Sequence, residues 1–208
     1  TRIVSLIGPA GIGKSRLIQE FVHGLRAGHQ TAGGTPALRV IRGTARDGGP
    51  AFGLFARLLR ARFGLIEGMD REIAKEQVRA QVSDVLEDRK VGDVVYFLGQ
   101  FLGLSLEESP LTRAVGEDPH EAALVRRAVF KAFLEADAEH SPTCLVFEDV
   151  HAAHDDSLTL LRYLLEYLAG PILIVCAGRP ELLSRHEDWA RAGEVRHRLL
   201  EVPVLSEE

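Results

Sequence analysis

Gly8-Pro9-Ala10-Gly11-Ile12-Gly13-Lys14-Ser15 fits the pattern Gly, four free positions, Gly-Lys, then Ser or Thr, which is the spacing of a phosphate-binding loop. Its flanks agree with it. Arg2 to Ile7 is a β-branched apolar run that stops at the first Gly, as a buried parallel strand does. From Lys14 onward Leu17, Ile18, Phe21, Val22 and Leu25 recur at helical spacing and predict a helix. Strand, glycine-rich turn and helix therefore follow in the order that phosphate chemistry needs.

Each residue of the loop has an expected task. Gly8, Gly11 and Gly13 are expected to adopt torsions that a Cβ forbids, so that successive N–H groups turn inward on a β-phosphate. The positive end of the following helix adds to that field. Gly8, Pro9, Ala10, Gly11, Ile12, Gly13, Lys14, Ser15 and Arg16 are the candidate cradle for ATP or ADP, with the Lys14 ammonium on the β and γ oxygens and the Ser15 hydroxyl on Mg2+. A plain strand-to-helix turn has no need of Lys and Ser at its exit.

Composition narrows the class. A chain of 208 residues with 46% hydrophobic content suits one α/β domain with a sizeable core and excludes disordered and fibrous classes. A net charge of −5 argues against broad binding to nucleic acid or anionic membrane, so neither is an expected partner. Asp93 and Gly170 interrupt the most apolar stretches before they reach bilayer length. Cys144 and Cys176 sit in apolar strand-like runs, where buried reduced thiols are expected, and this suggests a cytoplasmic protein. The chain starts at Thr1 directly on a strand, so residues 1–208 are expected to be a nucleotide-binding domain excised from a longer protein.

Along the chain, Gly28 to Pro36 reads as a glycine-rich turn and Ala37 to Arg42 as the second strand, followed by a loop from Gly43 to Pro50. Helices are predicted over Gly53 to Phe63, Asp70 to Asp88, Val91 to Leu102 and His120 to His140, with a polar loop from Ser105 to Pro119. Arg57, Arg60 and Arg62 fall mainly off the apolar side of the first of these and read as a solvated face. Roughly one hundred residues thus separate strand 2 from strand 3, where about a dozen suffice for a crossover. The surplus is read as a helical elaboration, residues 53–140, at the edge of the sheet.

Thr143 to Phe147 is an apolar strand that ends in Glu148-Asp149. Carboxylates there lie at the carboxyl edge of a parallel sheet, where ligands bind. One can hold Mg2+ and the other can polarise an attacking water. Glu148 is the metal candidate and Asp149 the base candidate, with the exchanged assignment open. His151 and His154 follow, without the further ligands that a closed metal site requires. A helix is expected over Asp155 to Leu168, a strand over Ile172 to Ala177, a short helix over Glu181 to Glu187 and a last strand over Val195 to Val202. Arg179, just past the fourth strand, is the candidate that approaches a γ-phosphate.

With Gly-Pro-Ala-Gly-Ile-Gly-Lys-Ser-Arg-Leu at 8–17, Leu-Val-Phe-Glu-Asp-Val-His at 145–151, Arg179-Pro180 and the terminal Val-Pro-Val-Leu-Ser-Glu-Glu, the chain resembles the STAND branch of the AAA+-related P-loop ATPases. The likeness covers nearly the whole chain and is nearest to ATPase modules of large bacterial regulators. It implies a three-layer α/β fold with a five-stranded parallel sheet in the order 2-3-1-4-5. It implies slow Mg-ATP hydrolysis that switches the assembly of attached domains, with Lys14, Glu148, Asp149 and Arg179 catalytic and Ser15, Glu148 and Asp149 around the metal. Other domains of the same chain and an ATP-dependent homo-oligomer are the implied partners. His151-Ala152-Ala153-His154 departs from the His-Trp-Ala-Asp common in that branch, which weakens the expectation of vigorous catalysis. A motor or replication-initiator ATPase is the alternative. A small-molecule phosphotransferase is disfavoured because no substrate-binding segment stands out, and an ABC ATPase because Leu-Ser-Gly-Gly-Gln is missing.

Overall fold

Two strands, β3 (Thr143–Glu148) and β4 (Ile172–Gly178), are apolar at nearly every position because helices cover both of their faces. The computed structural model describes residues 1–31, 37–86 and 88–203, so residues 32–36 of the glycine-rich turn and 204–208 of the tail lie outside the described residues. On one face Cys144, Val146, Val175 and Ala177 meet Ile18 and Val22 of α1 (Lys14–Thr31). On the other Leu145, Phe147, Ile174 and Cys176 join the large core. That core is completed by α2 (Gly53–Phe63), α3 (Arg71–Ser83), α4 (Asp88–Leu102), α6 (Pro119–His140) and α7 (Asp155–Tyr167). Burial raises the thiol of Cys144 to about 11 and that of Cys176 to about 12, so both are inert packing groups.

The remaining strands, β1 (Arg2–Ile7), β2 (Arg39–Thr44) and β5 (His197–Glu201), complete a five-stranded parallel sheet, the architecture expected from the sequence. Its order is β2-β3-β4-β1-β5. The expected order 2-3-1-4-5 is therefore corrected by one transposition: β4, not β1, lies beside β3. Apolar runs report that both strands are internal, but hydrogen bonding between neighbours is non-local and leaves no mark on either run. α8 (Glu181–Arg185) follows β4.

A buried polar chain docks the last strand. Trp189 Nε1 donates to Ser5 Oγ at 3.0 Å, Ser5 Oγ lies 2.8 Å from His197 Nε2, and His197 Nδ1 lies 2.9 Å from the Ala192 carbonyl. With Nδ1 protonated toward Ala192, the Ser5 hydroxyl donates to Nε2 and every group is satisfied. Burial pushes the His197 imidazole below its ordinary value, and the Ala192 carbonyl offsets this in part.

Helices α2, α3, α4 and α6 share the large core with the sheet. One buried ion cluster ties them to β2. Asp137 of α6, 1% exposed at its side chain, receives Arg62 Nε at 2.6 Å and Nη2 at 2.7 Å, and also Arg39 of β2. Burial alone would raise the Asp137 carboxyl, but hydrogen bonds from Arg62 and Arg39 bring it below its ordinary value. Arg62 thus belongs to the interior, against the expected solvated face.

Other boundaries also move. The helix expected to run to Asp88 ends at Ser83. The polar loop contains α5 (Pro110–Gly116), started by Ser109 in a capping box with Thr112 and by Pro110 at the first helical position. In α1, Leu17 and Phe21 are 50% and 46% exposed, so the buried stripe is carried by Ile18 and Val22.

Candidate functional site at the carboxyl edge of the sheet

The loop from Gly8 to Ser15 leaves β1 between the ends of its two neighbours. Gly8 N–H donates to the Gly178 carbonyl of β4 at 3.3 Å, and Val202 N–H, just past β5, donates to the Ile7 carbonyl at 2.7 Å. The three glycines serve different purposes. Gly11 and Gly13 have φ of 74° and 94°, and a Cβ on either would meet nothing within 4 Å. Gly8 does not have positive φ; a Cβ there would stand 2.8 Å from the Val202 carbonyl oxygen. Torsional freedom explains the first two and close approach of the chain explains the third.

Among the described hydrogen bonds none uses the N–H of Gly11, Ile12, Gly13, Lys14 or Ser15. Lys14 Nζ folds back over the loop and donates to the carbonyls of Gly8 and Pro9, each at 2.7 Å. Unused N–H groups at a helix start, a lysine bonded back onto the loop and open space at both positive-φ glycines fit a phosphate group.

The transposed sheet order builds the rest of the site. Because β4 lies between β1 and β3, the residues after all three strands are neighbours along one edge. Burial pushes the Lys14 ammonium down; among nearby charges Asp149 draws it back most, Arg179 lowers it and Glu181 raises it. His151 is lowered by burial and then by Arg179, while Asp149, Glu181 and Asp47 oppose this. Lys14, Asp149, His151, Arg179 and Glu181 therefore share one electrostatic environment, and Asp47 reaches it from the loop after β2.

The two adjacent acids part company. Glu148 ends β3 on the same side as Val146, is 15% exposed at its side chain, and has Arg42 Nη1 of β2 at 3.7 Å from Oε2. Asp149 is exposed and sits at φ 54°, ψ 37°, a left-handed conformation that an Asp tolerates better than most residues. That backbone turn presents Asp149, rather than Glu148, as the dominant negative charge felt by Lys14. Strain of this kind concentrates at functional sites.

The histidines also separate. His154 is the N-cap of α7, its Nδ1 accepting from Asp156 N–H at 3.2 Å, which accounts for it without a ligand. His151 Nδ1 is buried without a hydrogen-bond partner among the described groups, and the His151 carbonyl accepts from Arg185 at 3.3 Å. No cage of three or more His, Cys, Asp or Glu occurs among the described residues. Mg2+ needs no such cage: it keeps waters and substrate phosphates and takes only one or two carboxylates from protein. Ser15, Glu148 and Asp149 are of the right donor type. Arg42, Asp47 and Glu181 were not singled out as site residues in the sequence; Arg42 and Glu148 are partners only through the β2–β3 pairing, which Thr44 opposite Glu148 establishes.

A family model described as the AAA ATPase domain matches residues 1–175, a stretch that takes in the loop, the elaboration, both acids and most of β4. No curated protein matches the chain. No described helix is long and apolar enough to cross a membrane.

Proposed function

This chain belongs to the AAA ATPase domain family, and on that premise we propose that it binds Mg-ATP, hydrolyses it slowly and uses the nucleotide state as a signalling switch for attached domains. The observation that carries the proposal is the loop itself: unused N–H groups from Gly11 to Ser15 under a lysine on which Asp149 is the largest opposing charge. The N–H groups and Lys14 would hold the β and γ phosphates, with Lys14 exchanging its bonds to Gly8 and Pro9 for bonds to phosphate. Ser15 and Glu148 would hold Mg2+, which would neutralise charge on the phosphates.

Asp149, exposed and the largest opposing charge on Lys14, would accept the proton of the attacking water. Arg42 positions Glu148 from the side and leaves Asp149 to act as the base. Arg179, following the strand between the loop and the acids, is the residue that senses the γ-phosphate. A ligand shifts a conformational balance only by its differential affinity for the two states, and the γ-phosphate is the group by which ATP differs from ADP. We place the protein in the cytoplasm, with other domains of its own chain and a homo-oligomer as partners.

Thermal unfolding with and without nucleotide tests the site. Mg-ADP or Mg-ATP at about a hundredfold over its dissociation constant should add about 2.7 kcal/mol of stability. An unchanged melting temperature at saturating nucleotide overturns the proposal. Slow turnover without stimulation by DNA supports a switch, whereas DNA-stimulated multiple turnover would identify a motor.

A further inference from the structure

A cavity of about 500 Å3 lies beyond the edge strand β2, between the loop that follows it, the start of α3 and the end of α4. No residue of the phosphate loop lines it. Four arginines do: Arg46, Arg57, Arg60 and Arg71, with Glu67 as the one carboxylate in the lining. None of the four makes an ion pair among the described residues, whereas Arg39, Arg42 and Arg62 nearby all have carboxylate partners. Arg57 donates to the Thr44 carbonyl and Arg60 to that of Leu102 at 3.4 Å, so two of the guanidinium groups are braced by backbone and retain free donors. Burial, and then the charge of Arg46, push the Arg57 guanidinium below its ordinary value, the sign of cations left together without an anion.

The other walls are apolar. Leu65, Met69 and Leu104 line the cavity, and Ile66 at its margin is 68% exposed. Simple charge capture needs no such surface. Arginine forks match the oxygens of a phosphate, and a cavity of this size accepts a small organic molecule. We propose that this cavity is a second anion site, specific for an organic phosphate ester whose phosphate sits among the four arginines and whose apolar body rests on Leu65, Met69 and Leu104.

The site shares a strand end with the nucleotide site. Thr44, which receives Arg57, lies opposite Glu148 in the sheet, and Ala45 N–H donates to the Glu148 carbonyl at 2.9 Å. Its test must therefore be blind to the phosphate loop. Calorimetric titration of phenyl phosphate and of inorganic phosphate into the Lys14→Ala protein meets that need, because the loop's cation is absent throughout. The expected result is one saturable site, with phenyl phosphate bound about tenfold more tightly than inorganic phosphate through burial of its ring. Arg46→Gln with Arg71→Gln should weaken it at least about tenfold. Both residues are exposed and make no described side-chain hydrogen bond, so this variant should melt like its parent. Absence of saturation, equal affinity for the two phosphates, or undiminished binding in the double variant would each overturn the proposal. None of these outcomes bears on whether the loop at Lys14 binds ATP.

Discussion

Two charged clusters flank β3, and they differ in what completes them. At Asp137 the carboxylate is buried, both its oxygens receive guanidinium donors, and Arg62 spends a further donor on Gln81 at 2.6 Å. At Asp149 the carboxylate is exposed, its backbone is held left-handed, and the lysine beside it reaches only carbonyls of its own loop. The first cluster is closed by the protein and stabilises a fixed contact between the helices and β2. The second carries donors, acceptors and open space that the protein does not fill. Completeness of hydrogen bonding, more than the presence of charge, separates the two clusters.

The largest expected effect falls on rate. Asp149→Asn should slow ATP hydrolysis by about 10²–10⁴-fold, the usual contribution of a general base, while leaving nucleotide-induced stabilisation intact. Glu148→Gln should instead weaken the dependence on Mg2+. Single-turnover assays with titrated Mg2+ separate the two, and the reverse pattern would exchange the roles. If hydrolysis were unchanged in both, the open cluster would not be catalytic.

Next comes stability at the closed cluster. Asp137→Ala leaves Arg39 and Arg62 without their carboxylate and should cost about 3–5 kcal/mol in a denaturant titration. At temperatures where the variant stays folded, its nucleotide affinity should equal that of the parent. A fall in affinity as large as the fall in stability would show that the clusters are not independent.

Smaller effects distinguish the loop glycines. Gly8→Ala drives a methyl group against the Val202 carbonyl and should cost about 1–3 kcal/mol of stability as overpacking. Gly11→Ala meets no neighbour, so its cost is the torsional one, about 1 kcal/mol. Equal losses at the two positions would refute the separate reasons given for them.

The smallest effect is a pH dependence. His197 has a folded value below its ordinary one, so in the window beneath about 6.5 the unfolded chain binds more protons than the folded one. Stability should therefore be full above that value and decline as pH falls through it, until the folded imidazole also titrates. His197→Gln should flatten this part of the profile in urea melts at a series of pH values. An unaltered profile would detach His197 from it.

Much of this was legible in the chain before folding. The loop, its flanking strand and helix, the acids after β3 and the Arg after β4 follow from local patterns. So do the limits of α2, Gly53 and Phe63. The α5 helix was also written in the sequence, in Ser109-Pro110 and Thr112, but its signals of capping double as signals of a turn. The exposure of Leu17 and Phe21 was not legible, because helical spacing reports a face and not how much protein lies against it.

By itself the sequence determined the chemistry available: which residues can cradle a phosphate, bind a cation or accept a proton, and that they stand at strand ends. Local backbone preference and side-chain period suffice for that. Tertiary structure decided the neighbours. It set β4 between β1 and β3 and so brought Arg179 to the loop and the acids together. It joined Arg39 to Asp137 across 98 residues of chain and Arg42 to Glu148 across the sheet. Those pairings depend on strand order and register, which are settled by hydrogen bonds and packing between segments far apart in sequence.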